Sequence, residues 1–345
     1  YTSIGLVAGL DQPIGRQRVY ANGNVRNNRY SKIDNDNVSY GLNAGLDWST
    51  IERLSGSVNL SLNQSLATYG VGIPGNQQIT LKNLERNRLL SARAQWGLVS
   101  LLTLEGTVTH RETSYSADAS KPNDLDQDSV SVGLKYRPSG ALTLGTALRF
   151  TRGSQPGQDF DRRDIDFTAN WFATGQSTVN ARLSVTQQDF DAGNTGRDIS
   201  GATGLVAWVY RPTAKLRFAT TLSRDTGAES SFYNLLNGQT DGIGDSSRYT
   251  NALALTASYE VTAKIRATVA GRYARRSLDN SAGDSGNDAT KSLSLSISYE
   301  PTRNWLLSCN AARNTRGASQ EAIAANLTYR YGSDSYGCTA QFTIQ

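Results

Sequence analysis

Methionine is absent from the 345 residues, histidine occurs once, cysteine twice and proline seven times. A single histidine, His110, excludes multi-histidine zinc sites and leaves little for a Ser-His-Asp triad. No apolar run reaches the roughly 18 residues that a transmembrane helix needs. Hydrophobic residues make up only 38% of the chain and mean hydropathy is −0.46, leaner than the core of a soluble protein of this length. There is no Pro-rich, Ser-rich or charged linker, so residues 1–345 read as one domain. The 35 basic and 30 acidic residues give a net charge of +5 but are interspersed, without the basic patch that nucleic acid requires. Tyr1 opens the chain with no basic or apolar leader, which implies a removed signal peptide or a missing amino-terminal piece.

What the sequence has in abundance is alternation. In residues 291–300, Leu293, Leu295, Ile297 and Tyr299 fall on one face of a strand, and Ser292, Ser294, Ser296, Ser298 and Glu300 on the other. The polar face is small and hydroxyl-rich, which suits a wet interior. The same beat predicts strands over 2–10, 16–30, 38–50, 54–67, 83–98, 103–116, 128–138, 142–154, 162–173 and 177–190. It continues over 199–211, 216–227, 249–261, 265–278, 289–300, 304–316 and 327–345.

Connections alternate in length. Turns at 11–15, 138–141, 174–176, 212–215, 262–264 and 301–303 are short, while 71–82, 117–127, 191–198, 225–247 and 280–288 are long and polar. Short turns on one side and long loops on the other are the pattern of bacterial outer-membrane barrels, with the short side in the periplasm. Low average hydropathy fits such a barrel, because lipid-facing and lumen-facing residues alternate.

Aromatic residues gather beside the short turns. Trp48, Trp96, Tyr136, Trp171, Trp208, Tyr210, Tyr259, Tyr299 and Trp305 form the expected periplasmic girdle. Strand phase agrees: over 265–276 the outward set is Ile265, Ala267, Val269, Gly271 and Tyr273, and only Arg275, near the outer end, carries charge outward. The basic residues Arg137, Arg149, Arg182, Arg211, Arg217, Arg266 and Arg272, with Arg16 and Arg18, take the lumen phase. They either attract anionic cargo or pair with lumen acids such as Asp166, Glu260 and Glu300 in a stiffening lattice.

The fold expected is therefore all-β, a transmembrane antiparallel up-and-down barrel in the bacterial outer membrane. The pattern yields seventeen strands, and the first runs toward a short turn. Even strand numbers are the rule, so an upward strand preceding Tyr1 is expected, for eighteen in all, with sixteen the next choice. Either size leaves an aqueous lumen unless loops plug it.

Few residues invite chemistry. Cys309 and Cys338 lie at similar depth on the last two strands, where an oxidising periplasm allows a cross-strand disulfide; two free thiols are the alternative. His110 reads as a solvated strand-end residue. Acids at 34 and 36, 118–128, 159–164, 241 and 245, and 284 and 288 read as solvated loop carboxylates, because no calcium-loop spacing is matched. No cofactor, metal or catalytic residue is expected. The 225–247 loop, with Phe232, Tyr233, Leu235 and Leu236, is the one expected to fold inward or meet a partner.

Residues 8–18, Ala-Gly-Leu-Asp-Gln-Pro-Ile-Gly-Arg-Gln-Arg, with Asn27-Asn28-Arg29-Tyr30, resemble the early part of exopolysaccharide-biosynthesis outer-membrane proteins of the EpsL type. The ending 331–343, Tyr-Gly-Ser-Asp-Ser-Tyr-Gly-Cys-Thr-Ala-Gln-Phe-Thr, is similar to that family's final strand. Between these ends the resemblance is one of rhythm. It implies a non-enzymatic conduit for an exopolysaccharide, with the polymer and its secretion machinery as partners, while outer-membrane lipid and lipopolysaccharide are the partners expected of the barrel itself. A porin for small molecules and a structural anchor are the alternatives. The chain departs from the usual aromatic last residue of outer-membrane barrels by ending Phe342-Thr343-Ile344-Gln345.

Overall fold

Alternating segments pair with their sequence neighbours because a two-residue turn returns the chain antiparallel at the lowest entropic cost. The computed structural model describes residues 1–31, 35–51, 53–67, 82–97, 101–156, 158–191, 198–226, 247–279, 285–325 and 327–343. They form one 17-stranded antiparallel sheet. Its strands are β1 (Thr2–Ile14), β2 (Gln17–Arg29), β3 (Asn37–Ser49), β4 (Leu54–Leu66), β5 (Leu84–Trp96), β6 (Leu102–Tyr115), β7 (Leu125–Ser139), β8 (Leu142–Gln155) and β9 (Gln158–Thr174). There follow β10 (Ser177–Phe190), β11 (Ile199–Tyr210), β12 (Leu216–Asp225), β13 (Ser247–Thr262), β14 (Ile265–Asp279), β15 (Ser285–Thr302), β16 (Trp305–Ala318) and β17 (Tyr331–Phe342). Each strand pairs antiparallel with the next, from β1–β2 to β16–β17.

The short turns have visible causes. Gly15, with φ of 62°, opens the two-residue turn between Ile14 and Gln17, the left-handed geometry that matches the twist of a hairpin. At other short turns a hydroxyl satisfies the backbone: Ser139 Oγ accepts from the amides of Ala141 and Leu142, and Thr262 Oγ1 from those of Lys264 and Ile265.

The sheet curls. Arg111 on β6 lies within electrostatic reach of Asp225 on β12, which requires the inner faces of strands six apart to face each other. β1 and β17 run in the same direction, and among the described residues no ladder joins them. Their outward residues are correspondingly bare: Ile4, Leu6 and Tyr336 are 79%, 81% and 83% exposed.

Several boundaries differ from the sequence expectation. β1 continues through Asp11–Ile14, because those residues pair with Gln17–Tyr20 up to a turn of two residues. The last strand starts at Tyr331 instead of 327, since the connection before it carries a short helix, α1 (Gln320–Ala324), capped by Ser319. Asp126, Asp128, Asp159, Asp161, Asp164 and Asp288 belong to strands and not to loops. The backbone ladder keeps its hydrogen bonds above the lipid, where water accepts polar side chains, so strands outrun their apolar stretch.

Candidate functional site

The outward face is built to one height. Starting at the short-turn end, β6 presents Leu102, Leu104, Gly106 and Val108 before His110; β7 presents Tyr136, Leu134, Val132 and Val130 before Asp128; β9 presents Trp171, Ala169, Phe167 and Ile165 before Arg163. On β15 the set is Tyr299, Ile297, Leu295 and Leu293 before Lys291, and on β16 Trp305, Leu307, Cys309 and Ala311 before Arg313. Among the described residues of the strands, no Asp, Glu, Lys or Arg faces outward below that level. Eight residues of strand, tilted by about 40°, rise roughly 20 Å, most of the roughly 25 Å apolar band of an outer-membrane barrel.

The aromatic residues read as a girdle all take this outward phase beside the short turns. Trp208 stacks on Tyr210 with centroids 5.6 Å apart, and its Nε1 donates to Ser177 Oγ at 2.8 Å. Trp305 lies 5.2 Å from Phe342. Cys309 and Cys338 are directly opposed on the same outward face, and their sulfurs are bonded at 2.03 Å.

The inner face has two characters. On β2–β4 it carries Asn22, Asn24, Asn43, Asn59, Asn63, Ser57 and Ser61, with Tyr20 hydrogen-bonded to Asn59. Serines 292, 294, 296 and 298 extend this hydroxyl surface on β15. Near the short turns of these strands charge is paired, with Arg18 2.6 Å from Asp11 and 3.8 Å from Asp47.

On β8–β12 the inner face instead holds a buried ionic network. Arg149 donates Nε and Nη2 to the two carboxylate oxygens of Asp166 at 3.0 and 3.2 Å and lies 3.3 Å from Asp164. Arg162 donates to Asp164 at 2.9 and 3.0 Å, to Thr186 at 3.2 Å and to Thr226 at 2.7 Å. Thr186 donates in turn to Asp164 at 2.6 Å. Buried carboxylates are tolerated here because each has a guanidinium and a hydroxyl, offsetting desolvation.

Toward the long-loop end, the segment before β17 packs on the inner face of β15. Ala322 of α1 is fully buried against Gly286, whose missing side chain makes room: a Cβ there would stand 2.4 Å from that of Ala322. Thr328 donates to Asp288 at 2.8 Å, and Asp288 also accepts from Arg276. Arg316 lies 5.0 Å from the Tyr331 ring centroid and 5.8 Å from that of Tyr329. Burial pushes the Tyr329 phenol above its ordinary value, with Arg316 opposing.

The seven lumen-phase arginines separate by height. Arg149 and Arg182 are mid-strand and nearly buried, Arg266 pairs with Glu260 at 3.2 Å, and Arg272 is half-buried. Arg137, Arg211 and Arg217 sit at the short-turn ends of β7, β11 and β12, exposed, and no ion pair among the described residues engages them. Arg162, Arg316, Asp164 and Asp288 were not singled out for the lumen by sequence; the inward phase of their strands could have found them. His110 Nδ1 lies 2.9 Å from Asp128 and 3.8 Å from Asp126 on the outward rim, a cross-strand cluster of exposed groups. Residues 227–246, with the aromatic loop expected to fold inward, lie outside the described residues.

No family model and no curated protein matches the chain. Among solved structures it is similar to the FrpB iron transporter of Neisseria meningitidis, at 8% identity and TM-score 0.52 for the F5-1 apoprotein and 9% and 0.51 for the F3-3 variant. These alignments cover 92% of this chain but only 59% and 60% of those. Pseudomonas aeruginosa OccK3 (OpdO) aligns at 15% identity and TM-score 0.50, over 98% of this chain and 89% of that one. At such identities the likeness is one of fold, that of outer-membrane β-barrels. The fold and the apolar band place the protein in the bacterial outer membrane.

Proposed function

We propose that the protein is a non-enzymatic outer-membrane conduit for a hydroxyl-rich polymer, an exopolysaccharide. The observation that carries this reading is the amide and hydroxyl wall of β2–β4, with Asn22, Asn24, Asn43, Asn59 and Asn63 beside Ser57, Ser61 and Tyr20. Such groups donate and accept hydrogen bonds without fixed charge, so a sugar chain can exchange partners as it slides. The exposed Arg137, Arg211 and Arg217 at the periplasmic mouth suit a polymer carrying carboxylates and supplied by secretion machinery on that side. The resemblance of residues 8–18 and 331–343 to exopolysaccharide-biosynthesis barrels supports the same reading.

Deleting the gene and assaying surface polysaccharide tests it. Loss of secretion, restored by the wild-type gene, is expected, and undiminished secretion would sink the proposal. A second reading, a pore for small solutes, is favoured by the packing of residues 319–330 and the Arg162 network on the outer half of the bore. In planar bilayers a polymer conduit is blocked transiently by oligosaccharides; a small-solute pore conducts undisturbed.

A further inference from the structure

The outward charges above the apolar band fall into two sectors. Over β5–β9 they are mixed: Arg88 pairs with Glu112 at 3.0 Å, His110 with Asp128, and Arg152 stands opposite both Asp128 and Asp161. Over β12–β16 they are basic. Arg224 on β12, Arg275 on β14, Lys291 on β15 and Arg313 on β16 all face outward and are exposed.

Three of these cations share one height, and the fourth stands just above it. Arg224 follows Leu216, Phe218, Thr220 and Leu222; Lys291 follows Tyr299, Ile297, Leu295 and Leu293; Arg313 follows Trp305, Leu307, Cys309 and Ala311. Arg275 stands one outward step higher, above Tyr273, and in the same row as Asn251 and Arg224. Arg224 lies over the Tyr249 ring, 4.5 Å from its centroid, which fixes a cation at the rim. Asp334 on β17, 3.7 Å from Arg313, is the acid that meets the stripe at its edge. Five strands about 4.8 Å apart spread the four charges along roughly 20 Å of perimeter.

We propose that this stripe binds the phosphates of the outer-leaflet glycolipid, lipopolysaccharide. Its cations stand where the acyl chains end and the phosphorylated headgroup begins, and each projects away from the lumen, so cargo does not reach them. Arginine forks and a lysine ammonium at a headgroup interface are the chemistry that retains phosphomonoesters. The mixed sector, where acids already engage the cations, lacks that capacity.

The test compares the full-length barrel with the variant R224Q/R275Q/K291Q/R313Q, both delipidated in mild detergent and titrated with lipopolysaccharide and with its dephosphorylated form. Wild type is expected to bind the phosphorylated glycolipid about tenfold more tightly than the dephosphorylated one, a preference that the variant loses. A control, R88Q/R152Q/R163Q, is expected to stay within about twofold of wild type. The proposal is overturned if the quadruple variant, shown folded by its heat-dependent gel mobility, keeps the preference, or if the control loses as much. Should the quadruple variant not fold, R275Q/K291Q carries the same comparison with the same deciding outcomes.

Discussion

Arg162 on β9 reaches over β10 and β11 to donate Nη1 to Oγ1 of Thr226 at 2.7 Å, just past the outer end of β12. The same guanidinium holds the fully buried Asp164. Arg162→Met is expected to strand part of that charge, leaving Arg149 and Thr186 beside it, and to cost about 3 kcal/mol. Urea unfolding of the barrel in lipid vesicles measures the loss; an unchanged midpoint would show that the network carries no stability.

Gly286→Val places a side chain where the backbone of Ala322 now lies. Overpacking of this kind costs on the order of 1–3 kcal/mol, and detaching α1 is the nearest relief. Single-channel conductance is therefore expected to rise, with the protein still folded. Unaltered conductance would mean that residues 319–330 do not narrow the current path.

Leu295 and Ser296 are neighbours in sequence on opposite faces of β15. Leu295→Arg puts a charge in the apolar band and is expected to destabilise the barrel by about 2–4 kcal/mol, while Ser296→Arg costs far less. Equal losses in an unfolding titration would contradict the assigned faces.

The Cys309–Cys338 bond closes a loop with a sequence separation of 29 residues. Loop-closure entropy assigns it about 3 kcal/mol. C309S/C338S is expected to lower the unfolding temperature and to abolish its sensitivity to reductant, read by heat-modifiable gel mobility.

Arg137, Arg211 and Arg217 bring positive charge to the short-turn end of the sheet. R137Q/R211Q/R217Q is expected to reduce anion preference, seen as a reversal potential shifted toward that of cations in a salt gradient. An unmoved reversal potential would remove these residues from the conduction path.

The fold was legible because its signal is local. Strand phase, the aromatic residues near turns, and the inward setting of Arg149, Arg182, Arg266 and Arg272 follow from counting by two along each segment. Even the opposed placement of Cys309 and Cys338 needed only one hairpin's register. Asp159 and Asp288 were misplaced in loops because hydropathy stops at the lipid boundary, whereas the hydrogen-bonded ladder does not. Helix α1 escaped because five residues carry no usable period.

By itself, then, the sequence determined that this chain makes alternating strands with an apolar outer band of one height, and which side chains turn inward. Only the tertiary structure decided which inward groups meet. Arg162 and Thr226 are 64 residues apart, and Arg111 and Asp225 come into reach only through the curl of the sheet across six strands. The physical reason is that facing is fixed by each residue's own backbone geometry. Meeting depends on register and curvature summed over every ladder between, and no single stretch of sequence carries that sum.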